Sequence, residues 1–122
     1  MKRILAVDDE ADLTRLYHFA LEDAGFKVDT YDDPLLALSS FRPDLYDLVI
    51  LDVMMPNMDG FELYEQLRKK DDKVKICFLT ASELYYEEFR KREYDALDKN
   101  LFIQKPIGNE ELIERINKII AK

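Results

Sequence analysis

The sequence predicts an α/β fold in which a parallel sheet is covered by helices on both faces. Three observations predict it. Short apolar runs recur at Ile4-Leu5-Ala6-Val7, Leu48-Val49-Ile50-Leu51, Ile76-Cys77-Phe78-Leu79 and Leu101-Phe102-Ile103. Segments of helical period separate them. Each run is followed closely by polar residues, respectively Asp8-Asp9, Asp52, Thr80 and Lys105. Continuous apolar runs, rather than alternating ones, mark strands buried on both faces. A strand-helix pattern repeated along the chain then leaves few topologies.

The elements follow in order. Residues 3–8 read as the first buried strand. Residues 11–24 form a helix with Leu13, Leu16, Tyr17, Ala20 and Ala24 on its inner face, and Gly25 stops it. The stretch Lys27-Val28-Asp29-Thr30-Tyr31 is polar at alternate positions, as an edge strand is. Asp33-Pro34 is a cap followed by proline at the first helical position, opening a helix to about Phe41. Residues 47–52 are the next strand. Asp59 with Glu62 opens a helix through Leu63 and Leu67. A strand over 75–79 precedes a helix capped by Ser82 and running through Leu84, Tyr85 and Phe89. A strand over 101–104 precedes the last helix, opened by Asn109, with Leu112, Ile113, Ile116, Ile119 and Ile120 as its buried stripe.

Bulk properties bound the function. The 122 residues are read as one domain, 1–122. The longest apolar run is far short of the ~20 residues of a membrane span, and no signal peptide opens the chain. The net charge of −8 disfavours direct nucleic-acid binding, which rests on cationic contacts to phosphate. The single cysteine, Cys77, excludes an internal disulfide and lies in an apolar run, so a buried, inert thiol in a reducing, cytoplasmic setting is expected. His18, the only histidine, falls off the apolar stripe of its helix and is expected to be exposed and idle. No phosphohistidine donor therefore lies near the strand ends.

In an all-parallel sheet the strand C-termini share one edge, and ligands bind in the crevice outside it. Asp8, Asp9, Asp52, Thr80 and Lys105 should therefore meet. Taken alone, Asp8-Asp9-Glu10 reads as a favourable charge pattern for a helix start. Pro56, Asp59 and Gly60 read as a loop with a helix cap, and a strand-end lysine is usually solvated. Together the residues say more. Acids crowded at adjacent strand ends require a cation. Oxygen-only ligands select a hard one, and Mg²⁺ fits a site open to water and phosphate. A carboxylate such as Asp52 can attack phosphorus to give an acyl phosphate. Lys105 and Thr80 suit the phosphoryl oxygens, as a point charge and a hydroxyl donor. The Lys105-Pro106 bond is where a cis peptide could aim the ammonium inward.

On these residues the chain resembles the receiver domains of two-component response regulators over its whole length. The carriers are Asp8-Asp9, the block Leu51-Asp52-Val53-Met54-Met55-Pro56-Asn57-Met58-Asp59-Gly60, Thr80-Ala81, and Phe102-Ile103-Gln104-Lys105-Pro106. The resemblance implies a flavodoxin-like, doubly wound sheet of order 2-1-3-4-5 with five helices. It implies that Asp52 is the phosphoacceptor, taking phosphate from a sensor histidine kinase or a histidine phosphotransfer protein. Asp9, Asp52 and the Met54 carbonyl would ligate Mg²⁺, with Asp8 reaching it through water. Lys105 and Thr80 would hold the phosphoryl group. Thr80 and Phe102 would be the switch, reshaping the face made by the fourth helix, fifth strand and fifth helix. A downstream protein or a second copy of the chain would dock there, with no direct nucleic acid and no membrane. Such a domain catalyses only its own phosphorylation and dephosphorylation; the chain looks like a stand-alone, chemotaxis-type regulator, and a phosphorelay intermediate or a domain of a transcription factor stay open beside it.

This chain departs from the family in places. Residues 91–100 lack the usual Gly-Ala pair, Ile107 replaces an aromatic, and Phe102 lacks a tyrosine hydroxyl. Tyr85, Tyr86 and Phe89 with Phe102, flanked by Arg90, Lys91 and Arg92, are expected to form the docking patch. Met54 and Ser82 should flank the path of hydrolytic water, and neither orients it well, so phosphate loss should be slow. A dehalogenase-type phosphatase would need a second Asp two residues after its nucleophile, where Met54 stands after Asp52 and Glu10 after Asp8. A flavodoxin would need a Ser/Thr-Gly-rich loop where Asp8-Asp9-Glu10 stands.

Overall fold

A computed structural model describes residues 2–80, 101–105 and 107–121. Five strands, β1 (Arg3–Val7), β2 (Lys27–Tyr31), β3 (Leu48–Asp52), β4 (Lys75–Thr80) and β5 (Phe102–Gln104), form one sheet of order β2-β1-β3-β4-β5. Every neighbouring pair is parallel. The helices among the described residues are α1 (Ala11–Asp23), α2 (Pro34–Ser40), α3 (Gly60–Lys70) and α4 (Asn109–Ala121). The expected helix from Ser82, with Tyr85, Tyr86 and Phe89, lies outside the described residues, as do residues 91–100 and Pro106.

The period-2 alternation of strand side chains divides the core into two layers. Leu5, Val7, Val49, Leu51, Ile76 and Phe78 face α2 and α3. Ile4, Ala6, Leu48, Ile50, Cys77, Leu79 and Ile103 face α1 and α4. Every residue of β3 is buried, which is why its sequence runs apolar without a break. Cys77 is fully buried, and burial pushes its thiol up to about 12, so it is inert as expected.

Local signals set the helix ends. Gly25 sits at φ +96. The Gly25 N–H donates to Glu22 O and the Phe26 N–H to Leu21 O, the paired closing bonds of a glycine-terminated helix. Asp33 accepts from the Leu35 N–H at 2.9 Å, and Asp59 from the Glu62 N–H at 2.8 Å. The expected inner face of α1 needs correction. Thr14, Tyr17 and Leu21 are its buried residues, whereas Leu16 is 56% exposed and Ala24 is exposed. The stripe turns because the Thr14 hydroxyl donates to the Ala11 carbonyl at 2.8 Å, which lets a polar residue enter the core. Leu16 then stands about 100° from Tyr17 around the helix. His18 is half-buried rather than exposed, and its Nε2 lies 3.1 Å from Glu22 Oε1 one turn along the helix.

At the base of the sheet the Asp71 carboxylate ties two connections together. Its Oδ2 accepts from the Asp44 N–H at 2.9 Å, and its Oδ1 from the Lys73 and Val74 N–H groups at 3.0 and 3.2 Å. The bond from Asp44 is the main reason this carboxyl is held below its usual range. Asp44 itself adopts φ +63, a left-handed conformation that aspartate tolerates.

Candidate functional site

Register places the site. Val7 of β1 is opposite Leu51 of β3, so Asp8 and Asp52 leave neighbouring central strands side by side. One carboxylate oxygen each from Asp8, Asp9 and Asp52 lie within 4.8 Å of one another. Asp8 is 1% exposed and Asp52 6%, while Asp9 is exposed. The Asp8 Oδ1 accepts from the Glu10 N–H at 3.0 Å. Glu10 in turn caps α1 through its backbone carbonyl, which accepts from Leu13 and Thr14, and its side chain is solvated.

Lys105 follows β5 and reaches over this edge. Its Nζ lies 2.8 Å from Asp8 Oδ2 and 3.6 Å from Asp52 Oδ1. Burial alone would lower its pKa, but the bond to Asp8 and the charge of Asp52 outweigh burial and raise it. Thr80 ends β4 in register with Gln104, one residue before Lys105. Phe102 is half-buried in β5 and stacks on Phe78 with ring centroids 5.0 Å apart. Met54 is 59% exposed and its N–H donates to Asp52.

The charge balance is incomplete. Burial first, then the Asp8 carboxylate, push the Asp52 carboxyl up to about 7, against the pull of Lys105 and the Met54 N–H. Two residues do more than the sequence pattern predicts. Tyr17, taken as a core aromatic, has its phenol pushed up by burial and then by the charges of Asp8 and Asp52, so it borders the site. Gly60, taken as part of a helix cap, packs against the Asp52 backbone: an added Cβ would overlap the Asp52 carbonyl oxygen. A glycine right after a capping aspartate was the only signal for that contact.

A pH dependence follows. An aspartate at about 3.8 unfolded and about 7 folded binds its proton more tightly in the native state. Stability is then greatest below the unfolded value and is lost as pH rises through about 7. In EDTA the protein should melt several degrees lower at pH 8 than at pH 5.5, by the usual size of such shifts for a domain this long. Asp52→Asn should flatten that slope. Equal slopes in parent and variant would refute the assignment of the raised pKa to Asp52.

Comparison with known proteins adds the following. The family profile described as "Response regulator receiver domain" matches residues 4–117. The chain is 36% identical over 121 residues to the alkaline phosphatase synthesis transcriptional regulatory protein PhoP of Bacillus subtilis, covering 99% of this chain and 49% of that protein. It is 34% identical over 122 residues to the response regulator ArlR of Staphylococcus epidermidis, covering 100% of this chain and 54% of that one. It thus spans about half the length of these curated relatives. Among solved structures, the non-phosphorylated HemR receiver domain of Leptospira biflexa superposes with a TM-score of 0.86 at 32% identity, covering 100% of this chain and 96% of that one. The response regulator protein TrrA of Thermotoga maritima, in complex with Mg(2+)-BeF, superposes with a TM-score of 0.80 at 36% identity, covering 98% and 99%. No helix among the described residues is long and apolar enough to cross a membrane.

Proposed function

The chain belongs to the response regulator receiver domain family, and we propose that it works there as a phosphoacceptor switch centred on Asp52. The observation that carries this reading is the meeting of Asp8, Asp9, Asp52 and Lys105 at one sheet edge, from three separate strand ends. An Asp52 carboxylate oxygen attacks the phosphorus of a phosphohistidine on a kinase or phosphotransfer partner. The P–N bond breaks, the imidazole nitrogen leaves with the electron pair and takes up a proton, and an aspartyl phosphate remains. Lys105 moves its ammonium from Asp8 to a phosphoryl oxygen, and Thr80 donates its hydroxyl to another.

The donor set fits a hard divalent cation. Its side chains among the described residues are all carboxylates, they crowd one another enough to raise Asp52, and Lys105 and the Met54 N–H offset them only in part. Asp9, Asp52 and the Met54 carbonyl would hold Mg²⁺, and Asp8 would contact it through water. Bound there, the ion would supply positive charge that offsets the carboxylates and the incoming phosphoryl group. Thr80 and Phe102 then reset the face at β5 and α4, where a downstream protein or a second copy docks. The chain is one domain, 1–122, in the cytoplasm, and it turns over only its own phosphate.

Acetyl phosphate with Mg²⁺ should add one phosphoryl group by mass, and EDTA should prevent it. Asp9→Ala should raise the Mg²⁺ needed for half-maximal labelling at least roughly tenfold, the size typical of disturbed metal shells. Glu10→Ala should leave it within about twofold, because Glu10 serves the helix start through its backbone. Equal Mg²⁺ requirements in the two variants would refute the ligand set, and absence of labelling in the parent would refute the phosphoacceptor reading.

A further inference from the structure

Two aromatic rings, Phe61 and Phe78, join the phosphoacceptor loop to Phe102 without passing through Thr80. The path starts at Gly60. Its N–H donates to the Val53 carbonyl at 2.9 Å, and an added Cβ would overlap the Asp52 carbonyl oxygen. The first turn of α3 is therefore in direct contact with the backbone of Asp52 and Val53. The next residue, Phe61, is 1% exposed and meets Phe78 edge-on, with centroids 5.5 Å apart and planes at 62°. Phe78 is fully buried in β4 and is the register partner of Phe102 in β5. Those two rings stack at 5.0 Å with planes only 20° apart. Tyr64, one turn along α3, also meets Phe78, at 5.8 Å.

A close-packed chain of this kind has no slack in which to absorb a displacement. A shift of the Asp52–Val53 backbone moves the first turn of α3, because no gap separates them. That turn carries Phe61, and Phe61 presses on the ring that holds Phe102. We propose that Phe61 and Phe78 are positioning residues that transmit the state of Asp52 to Phe102, alongside the hydroxyl of Thr80. This rests on the phosphoacceptor reading above. It adds a second mechanical route to the output face, built from packing. Phe102 has no hydroxyl, so ring contacts are what its side chain has to sense with.

The test separates chemistry from transmission. Phe78→Leu keeps an apolar side chain in β4 and removes its ring contacts with Phe61, Tyr64 and Phe102. It should label with acetyl phosphate at a rate within about twofold of the parent, since none of these rings touches the reacting atoms. Backbone amide shifts of Phe102–Gln104 and Leu112–Ile116 would then be compared with and without Mg²⁺ and beryllofluoride. In the parent these amides should move. In Phe78→Leu the movement should fall by half or more, although the amides beside Asp52 respond in full. A purely structural role would lower the melting temperature and leave the ratio of the two responses unchanged, and that result would overturn the relay. If Phe78→Leu does not fold, Phe61→Leu carries the same comparison from the other end of the contact. A parent with no response at either place would overturn the phosphoacceptor reading and the relay together. A responding parent with a fully responding variant would overturn the relay alone.

Discussion

Asp52→Asn is expected to reduce phosphoryl labelling to below ~1% of the parent, because a neutral amide is no nucleophile toward phosphorus. The variant should still fold. Asparagine matches aspartate in shape, and the loss of one charge relieves the crowding that pushes Asp52 up to about 7. Its melting temperature at pH 8 in EDTA should therefore equal or exceed that of the parent. Among the described residues, the two carboxylates beside Asp52 are committed elsewhere. Asp8 is 1% exposed, with one oxygen on the Glu10 N–H and the other on Lys105. Asp9 is exposed, with one carboxylate oxygen in the same cluster, where the proposal assigns it to Mg²⁺. Intact-mass measurement after incubation with acetyl phosphate and Mg²⁺ checks this. A variant that still gains a phosphoryl group would move the acceptor elsewhere.

Gly60→Ala should have the next largest effect, and on both stability and chemistry. The added methyl would overlap the Asp52 carbonyl oxygen and come within 3.0 Å of the Val53 Cα, both backbone atoms. Something rigid has to move. Overpacking of this kind costs about 1–3 kcal/mol. The atoms that move include those that aim the Asp52 carboxylate, and misplacement by about 1 Å costs on the order of a hundredfold in rate. Labelling per folded molecule should therefore drop ten- to a hundredfold. Gly25→Ala is the control. Gly25 sits at φ +96 with open space around it, at the far end of α1. Alanine there is strained and costs roughly 1 kcal/mol, yet labelling per folded molecule should not change. Urea midpoints and initial labelling rates on the same samples separate the two. Equal labelling in both variants would show that the Gly60 contact does not aim Asp52.

Much of this molecule was legible because its signals are local. β1 and β3 read as continuous apolar runs, since each strand feeds two core layers at once. The caps at Asp33 and Asp59 are set by residues two or three positions away. The convergence of Asp8, Asp9, Asp52 and Lys105 was also legible, since parallel strands must end on one edge. What stayed hidden depends on distant partners or on rotation about a helix axis. Lys105 binds Asp8 across 97 positions, and no local pattern encodes which acid it chooses. The inner face of α1 turned by a residue because Thr14 found a carbonyl for its hydroxyl, which periodicity of apolar residues does not register. Gly60 looked like a cap neighbour, and only three-dimensional packing reveals that its missing side chain makes room for Asp52.

The Asp71 carboxylate has a consequence for how the molecule breathes. Its two oxygens hold the amides of Asp44, Lys73 and Val74, which belong to two different connections at the base of the sheet. Neither connection opens without breaking bonds that the other shares. The bond from Asp44 links them, so the amides of Asp44, Lys73 and Val74 are expected to exchange with solvent together and more slowly than those of an untied loop, which hydrogen exchange would check. The base is thus tied across two connections, while the phosphoacceptor reading asks for movement at the opposite rim, beside Asp52.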